Sequence, residues 1–372
     1  MSPYSGILFF GILILVLLPA VVLGMRGKSL RVYGLIATVL MLLTAFDTWQ
    51  ARLTLLAFWA LQMGLCFGYL ALRKRFSQRW LLWIAIGLSL LPLLRVKLGG
   101  WSLLGVSYMT FRAVQVLIEI YDGHIKSLNL LDLSYFVLFF PSVSSGPVDR
   151  YRRFVGDLQK QRTGEEYYEL LKQGVWKLMV GAVYNFAIGN LIWHFWVAKL
   201  PDSGFLATWS YLYGYTLFMF FNFAGYSLMA IGTAYILGIQ MPEKFNMPFL
   251  SKDMKDFWGR WHISLSTWLR DHVYTRFCMA ALRGNWFKGK RTSSYVGYFI
   301  TMTLMGVWHG FSLSCLVYGL YHGVLMGLND VLDTKWKRFK KLKKQPLAGA
   351  VMTVITFHLF GFGLLIFSGR LF

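Results

Sequence analysis

Acidic side chains are scarce in this chain: 16 Asp and Glu stand against 38 Lys and Arg, a net charge of +22. Charge of either sign is sparse too, at 15% of 372 residues, while 56% are hydrophobic and the mean hydropathy is +0.51. So few charges exclude an ordinary soluble globular domain and imply a polytopic membrane protein. Cysteine is almost absent. Cys66, Cys278 and Cys315 are far apart, with no CxxC and no Cys/His cluster, which excludes a disulfide framework and argues against any metal site. The apolar run from Ile7 to Gly24 lacks the basic lead of a secretory signal and has Arg26, Lys28 and Arg31 behind it, so it reads as a retained first span with its N-terminus outside. No internal repeat or long linker is evident. We therefore expect one membrane-embedded domain over 1–372, with N-terminal spans in 1–100, a catalytic core in 101–328, and a basic loop and last span in 329–372.

The positive charge lies in short clusters between apolar spans rather than along one face. That pattern fits cytoplasmic loops held at membrane lipids and not a nucleic-acid binder. Runs near the roughly 20 residues that a spanning helix needs lie at 5–24, 32–47, 53–72, 80–94, 101–121, 128–146 and 176–196. Two helical pieces are expected in 205–239, a cytoplasmic block in 241–294, two spans in 295–328 and a last span at 347–369. Arg112 and Glu119 fall two turns apart on one helix face, either as a buried ion pair or as substrate contacts. Phe139-Phe140-Pro141-Ser142-Val143-Ser144-Ser145-Gly146-Pro147 follows an apolar start, and its prolines and glycine predict a broken, re-entrant segment where a cavity can form. Asp149 to Lys177 reads as surface helices.

The chemistry concentrates in two stretches. Asp256 to Asp271 is too charged to cross a bilayer and too aromatic for a plain loop, and it carries His262. His309 sits within Met305-Gly306-Val307-Trp308-His309-Gly310, in apolar sequence where an ionisable ring is costly and its neighbouring glycines leave room for a substrate. His194, His322 and His358 read as interhelical hydrogen-bond partners.

The run Phe257-Trp258-Gly259-Arg260-Trp261-His262-Ile263-Ser264-Leu265-Ser266-Thr267-Trp268-Leu269-Arg270-Asp271, with Trp308-His309-Gly310, resembles the signature of the membrane-bound O-acyltransferase (MBOAT) family. Tyr108 to Glu119, Phe139 to Pro147, Phe221 to Ser227 and Asp271 to Phe277 resemble its branch that D-alanylates teichoic acids. The resemblance implies an all-α fold of about 10–11 spanning helices, with short interfacial and re-entrant helices around a central funnel. It implies catalysis by His309 with His262 as a second polar group, His262 being alternatively structural. A substrate tunnel would be lined by Trp308, Gly310, Ser144, Ser145, Asn222, Tyr226 and Trp261. The acyl donor would be D-alanine on the phosphopantetheine arm of a cytoplasmic carrier protein (DltC), with no tightly bound cofactor. Other membrane proteins of the pathway (DltD, DltX) would be partners and teichoic acid the acceptor.

Departures narrow the branch. Polysaccharide O-acetylating relatives follow Arg-Asp with a Tyr-Leu-Tyr-Ile-Pro-Leu-Gly-Gly-like run, whereas this chain reads His272-Val273-Tyr274-Thr275-Arg276-Phe277-Cys278-Met279. Many relatives carry Asp where Asn222 stands. The alternatives are a polysaccharide O-acetyltransferase of the same family and a transporter that moves an acylated substrate without chemistry. For carrier docking, Thr275, Cys278, Met279 and Leu282 make one apolar helical stripe, ringed by Lys288, Lys290, Arg291, Arg276 and Arg283. The same composition would also suit a lipid-held surface helix.

Overall fold

The computed structural model describes residues 3–100, 102–289 and 291–372, so Trp101 and Lys290 lie outside the described residues. Every regular element among them is helical. In chain order these are α1 (Gly6–Met25), α2 (Arg31–Ala45), α3 (Trp49–Arg73), α4 (Arg79–Lys97), α5 (Val106–Tyr121) and α6 (Leu130–Leu138). Then come α7 (Tyr151–Gln159), α8 (Gly164–Ala182), α9 (Asn190–Phe195), α10 (Phe205–Ile236), α11 (Met254–Arg260) and α12 (Ile263–Leu269). The last are α13 (Thr275–Arg283), α14 (Thr292–His309), α15 (Leu313–Lys335), α16 (Lys337–Leu342) and α17 (Pro346–Phe367).

Among the described residues, seven helical segments are long and apolar enough to cross a bilayer: Gly6–Met25, Trp49–Arg73, Arg79–Lys97, Gly164–Lys199, Phe205–Ile236, Leu313–Lys335 and Pro346–Phe367. The runs expected at 32–47, 101–121 and 128–146 form helices of 15, 16 and 9 residues, α2, α5 and α6. At 1.5 Å per residue the longest of these reaches only about 24 Å. The expected pair of helices in 205–239 is a single helix of 32 residues, α10, unbroken through Asn222 to Ser227. Small and polar residues in an apolar helix do not end it unless proline or a competing backbone partner does.

The chain divides into two compact units, residues 1–183 with 225–242 and residues 184–224 with 243–372. In the first, α3 and α4 are tied by reciprocal hydrogen bonds between Gln62 and Ser89, both fully buried: Ser89 Oγ donates to Gln62 Oε1 at 2.7 Å and Gln62 Nε2 donates to the Ser89 carbonyl at 3.1 Å. Such polar pairs join membrane helices where no hydrophobic contrast with lipid does so. Helix α8 starts on a capping box, Thr163 Oγ1 accepting from the Glu166 amide and Glu166 from the Thr163 amide. It then runs against the end of α10 with almost no space, since a Cβ on Gly174 would lie 2.8 Å from the Gly232 carbonyl and one on Gly181 would lie 2.6 Å from that of Gly225.

In the second unit, α14 and α15 pack along their length with the same economy. A Cβ on Gly319 would stand 2.6 Å from the Met302 carbonyl. Near the ends of α11 and α15, Asp330 receives Lys255 and Arg291, while Lys343 bridges Asp253 and Asp333. These ion pairs fasten the aromatic block 254–269 to the helices that carry His309.

Candidate active site

His309 is the last residue of α14, and the extended Gly310 turns the chain before Ser312 caps α15 by accepting from the Cys315 amide. Its ring is half-buried beside Trp308 (4.5 Å between centroids), Phe367 (5.1 Å) and Tyr318 (6.2 Å). The glycine contact between α14 and α15 lies one turn below it, so the seat of the imidazole is set by backbone against backbone rather than by mobile side chains.

His262 is 3% exposed and takes the left-handed conformation, φ 47°, between α11 and α12. This costs a non-glycine residue about 1–2 kcal/mol and persists only where the surroundings enforce it. Two backbone bonds do so: the Ile263 amide donates to the Lys244 carbonyl at 2.9 Å, and the Asn246 amide to the Arg260 carbonyl at 2.9 Å. Lys244 is itself buried, its ammonium 3.6 Å from the centre of the Phe223 ring, and that ring packs edge-on against His262 at 5.2 Å. Burial pushes the His262 pKa well below the ordinary histidine range, and charge on Lys244 and on His309 works in the same direction. His262 is thus a neutral imidazole at physiological pH. Nothing in the sequence pattern singles out Lys244; its position in a block read as cytoplasmic loop hides its burial.

Trp261 is packed among Phe245, Phe257 and Phe360 at 5.0, 5.7 and 4.7 Å. Asn222 accepts at its carbonyl from Asn185 Nδ2, 3.0 Å away. Arg270 pairs with Asp271 at 2.9 Å and Arg260 with Asp256 at 2.7 Å, as scaffold contacts. Of the remaining histidines, His358 does bond across helices, to the Tyr213 hydroxyl at 2.8 Å. His322 is fully buried among Trp258, Tyr318 and Tyr321 with no hydrogen-bond partner on either ring nitrogen among the described residues.

Ser144, Ser145 and Tyr226 belong to the first unit. Helix α6 stops at Leu138 and the chain continues as one 3-10 turn, Phe140–Ser142, into the Ser144-Ser145-Gly146 bend. The backbone groups freed by this break are taken up by side chains. Arg112 donates through Nη1 to the carbonyls of Phe136 (3.1 Å), Val137 (3.1 Å) and Phe139 (3.4 Å), and through Nη2 to the carbonyl (2.8 Å) and hydroxyl (2.5 Å) of Ser142. Tyr4 donates to the Pro141 carbonyl at 3.2 Å, and the hydroxyls of Ser144 and Tyr226 share a hydrogen bond. The expected Arg112–Glu119 couple does not form: Glu119 faces Gln115 (3.1 Å) and Arg152 (3.4 Å) instead. Two turns of separation put both residues on one face, but the acceptors that capture the guanidinium come from another segment.

On α13, Thr275, Met279 and Leu282 are exposed, while Cys278 turns partly inward and donates to the Ser293 carbonyl at 3.4 Å. Trp286, which the sequence reading passes over, adds an exposed indole beside Phe277, and Arg283, Lys288 and Arg291 stand exposed around this apolar patch.

An all-helical, multi-pass membrane protein with one half-buried histidine at a helix corner and a second held neutral in an aromatic block has the makings of a membrane acyl-transfer enzyme. The chain belongs to the membrane-bound O-acyltransferase family, which residues 32–368 match, and it is an acyltransferase. It is 42% identical to the teichoic acid D-alanyltransferase of Bacillus subtilis (strain 168) across 100% of this chain and 98% of that protein. It is 34% identical to the teichoic acid D-alanyltransferase of Streptococcus thermophilus, across 100% of this chain and 96% of the relative. A probable alginate O-acetylase of Pseudomonas aeruginosa is 32% identical over 76% of this chain and 56% of its own length.

Proposed function

We propose that this chain carries D-alanine from the phosphopantetheine thioester of a small acidic carrier protein on the cytoplasmic side, through the membrane, to teichoic acid hydroxyls. The observation that carries the reading is its end-to-end likeness to teichoic acid D-alanyltransferases, against a partial likeness to an alginate acetylase. Family membership sets aside the transporter without chemistry.

In this reading His309 is the general base. Its neutral ring takes the proton of the acceptor hydroxyl as the oxygen attacks the thioester carbonyl; the tetrahedral intermediate then collapses, the C–S bond breaks, and the imidazolium returns the proton to the departing thiolate. In this reading the oxyanion is held by the Trp308 or Trp261 indole or by backbone amides near Gly310. His262, kept uncharged by burial, serves as a neutral hydrogen-bonding partner in the same block. With the basic loops inside, the N-terminus lies outside.

Membranes bearing the protein, offered either radiolabelled D-alanyl carrier or an acetyl thioester, should label teichoic acid from the carrier alone. Labelling from the acetyl donor instead would move the chain to the acetylating branch.

The exposed patch of Met279, Leu282 and Trp286 within a positive ring suits an acidic carrier helix, the charges steering the encounter and the apolar surface holding it. Lys288→Glu and Lys290→Glu together should raise the KM for charged carrier by about tenfold or more, with kcat little changed, because rim charges act mainly on encounter. Unaltered carrier kinetics at low salt would remove docking from this face.

A further inference from the structure

A cavity of about 450 Å³ opens in the first unit, and neither His262 nor His309 lines it. It is bounded by the α1–α2 turn, the α7–α8 turn and the residues that follow α10, and its wall carries Lys28, Arg31, Lys160 and Arg162 against a single carboxylate, Asp157. That carboxylate is already satisfied, accepting from Arg153 (3.2 Å), Arg162 (3.1 Å) and the Gln240 amide (2.8 Å). Arg31 is held by Asp132 through two parallel bonds of 2.7 and 2.9 Å. What remains is Lys28 and Lys160, exposed and without an ion pair among the described residues.

A second feature converges on the same hollow. The first turn of α2, a helix of 15 residues, has Leu30 at its cap position and no side-chain cap there; the Ser29 hydroxyl accepts only the Arg31 amide, at 3.3 Å. Uncapped amides at the positive end of a helix dipole attract an anion. The acidic start of α8, with Glu165 and Glu166 in its first turn and Glu169 in its second, lines a separate hollow with Met25 and Tyr168. Position narrows the ligand. The apolar run of α1 ends at Met25, directly before this turn, so the cavity stands where a spanning helix meets the headgroup layer.

From the cavity, its uncompensated lysines and the bare helix end, we infer a phosphate-binding site between the α1–α2 and α7–α8 turns. It takes the headgroup phosphate of an anionic phospholipid or a free phosphate from the cytosol, and its lining includes neither histidine of the acyl-transfer centre.

The test uses the full chain purified in neutral detergent. Melting temperature is followed while phosphatidylglycerol, phosphatidylcholine or inorganic phosphate is added, in wild type, in Lys28→Gln/Lys160→Gln, and in Lys74→Gln/Arg75→Gln as a control that removes two charges from the α3–α4 turn. A ligand that binds the folded form raises its melting temperature in proportion to occupancy. We expect phosphatidylglycerol to stabilise the wild type and the control, and the half-saturating concentration to rise about tenfold or more in Lys28→Gln/Lys160→Gln, as loss of charge-assisted contacts requires. Stabilisation by inorganic phosphate with the same variant dependence would identify the soluble anion as the ligand at the same site. Equal responses in all three proteins, or no response to either phosphate source, would overturn the site.

Discussion

His309→Ala should lower D-alanyl transfer by about a hundredfold to ten-thousandfold, the range a positioned general base contributes. The loss should fall on kcat, with the KM for charged carrier and the melting temperature close to wild type. Stability is spared because His309 is half-buried and makes ring contacts with Trp308, Phe367 and Tyr318 that an alanine gives up without leaving a charge unpaired. In the proposed reaction the alcohol loses its proton to this ring as it attacks, and α14 ends there, so the negative end of its dipole would face the developing positive charge. Asparagine or glutamine at the same place would keep a polar group and still lack a base. Transfer at wild-type rate in His309→Ala, measured with pre-charged carrier and isolated membranes, would remove the imidazole from the reaction.

His262 should respond differently, because the backbone enforces its conformation. The two backbone bonds that hold 244–246 against 260–263 fix the left-handed turn whatever the side chain does. A substitution there therefore reports on a neutral hydrogen-bonding ring rather than on local unfolding.

The outline of this fold is legible in the sequence where apolar length decides the outcome. The ends of α1, α3, α4 and α17 lie within a few residues of the runs that announce them, because a bilayer leaves a long apolar segment no alternative to a helix. The stop of α6 is legible too, since Pro141 cannot continue the hydrogen-bond ladder. Less visible is anything that depends on which segment comes alongside. Asn222 and Gly225 suggest a break in α10, yet the glycines there serve close helix contact and the helix runs straight on. Arg112 has Glu119 on its own face and turns to the carbonyls of 136–142. Lys244 lies in a charged, loop-like stretch and ends up as buried as the core. His309 stands out in sequence because an ionisable group in apolar surroundings is costly wherever its neighbours are; the partners of Arg112 and Lys244 follow from tertiary packing, which local pattern does not encode.

Arg112→Met should be the most destabilising single change in the first unit. The guanidinium is 1% exposed and hydrogen-bonds five acceptors on four residues, three of them carbonyls near the end of α6 that its own ladder cannot reach. Removing it strands these acceptors away from water, and breaking a buried charged network of this kind costs about 3–5 kcal/mol. Arg112→Lys should recover little of this. An ammonium is a compact group with three donors and no planar fork, and it cannot span the distance from the Phe136 carbonyl to Ser142. Both variants should melt well below wild type in detergent and lose transfer together with stability, whereas His309→Ala loses transfer alone. Since Ser144 and Ser145 follow directly on the segment that Arg112 holds, proteolytic nicking between Phe139 and Gly146 should rise in both Arg112 variants and not in His309→Ala. If Arg112→Met melts with the wild type and resists protease equally, the broken segment is held by its proline and by its contacts with Tyr4 and Tyr226, and the arginine is dispensable to the fold.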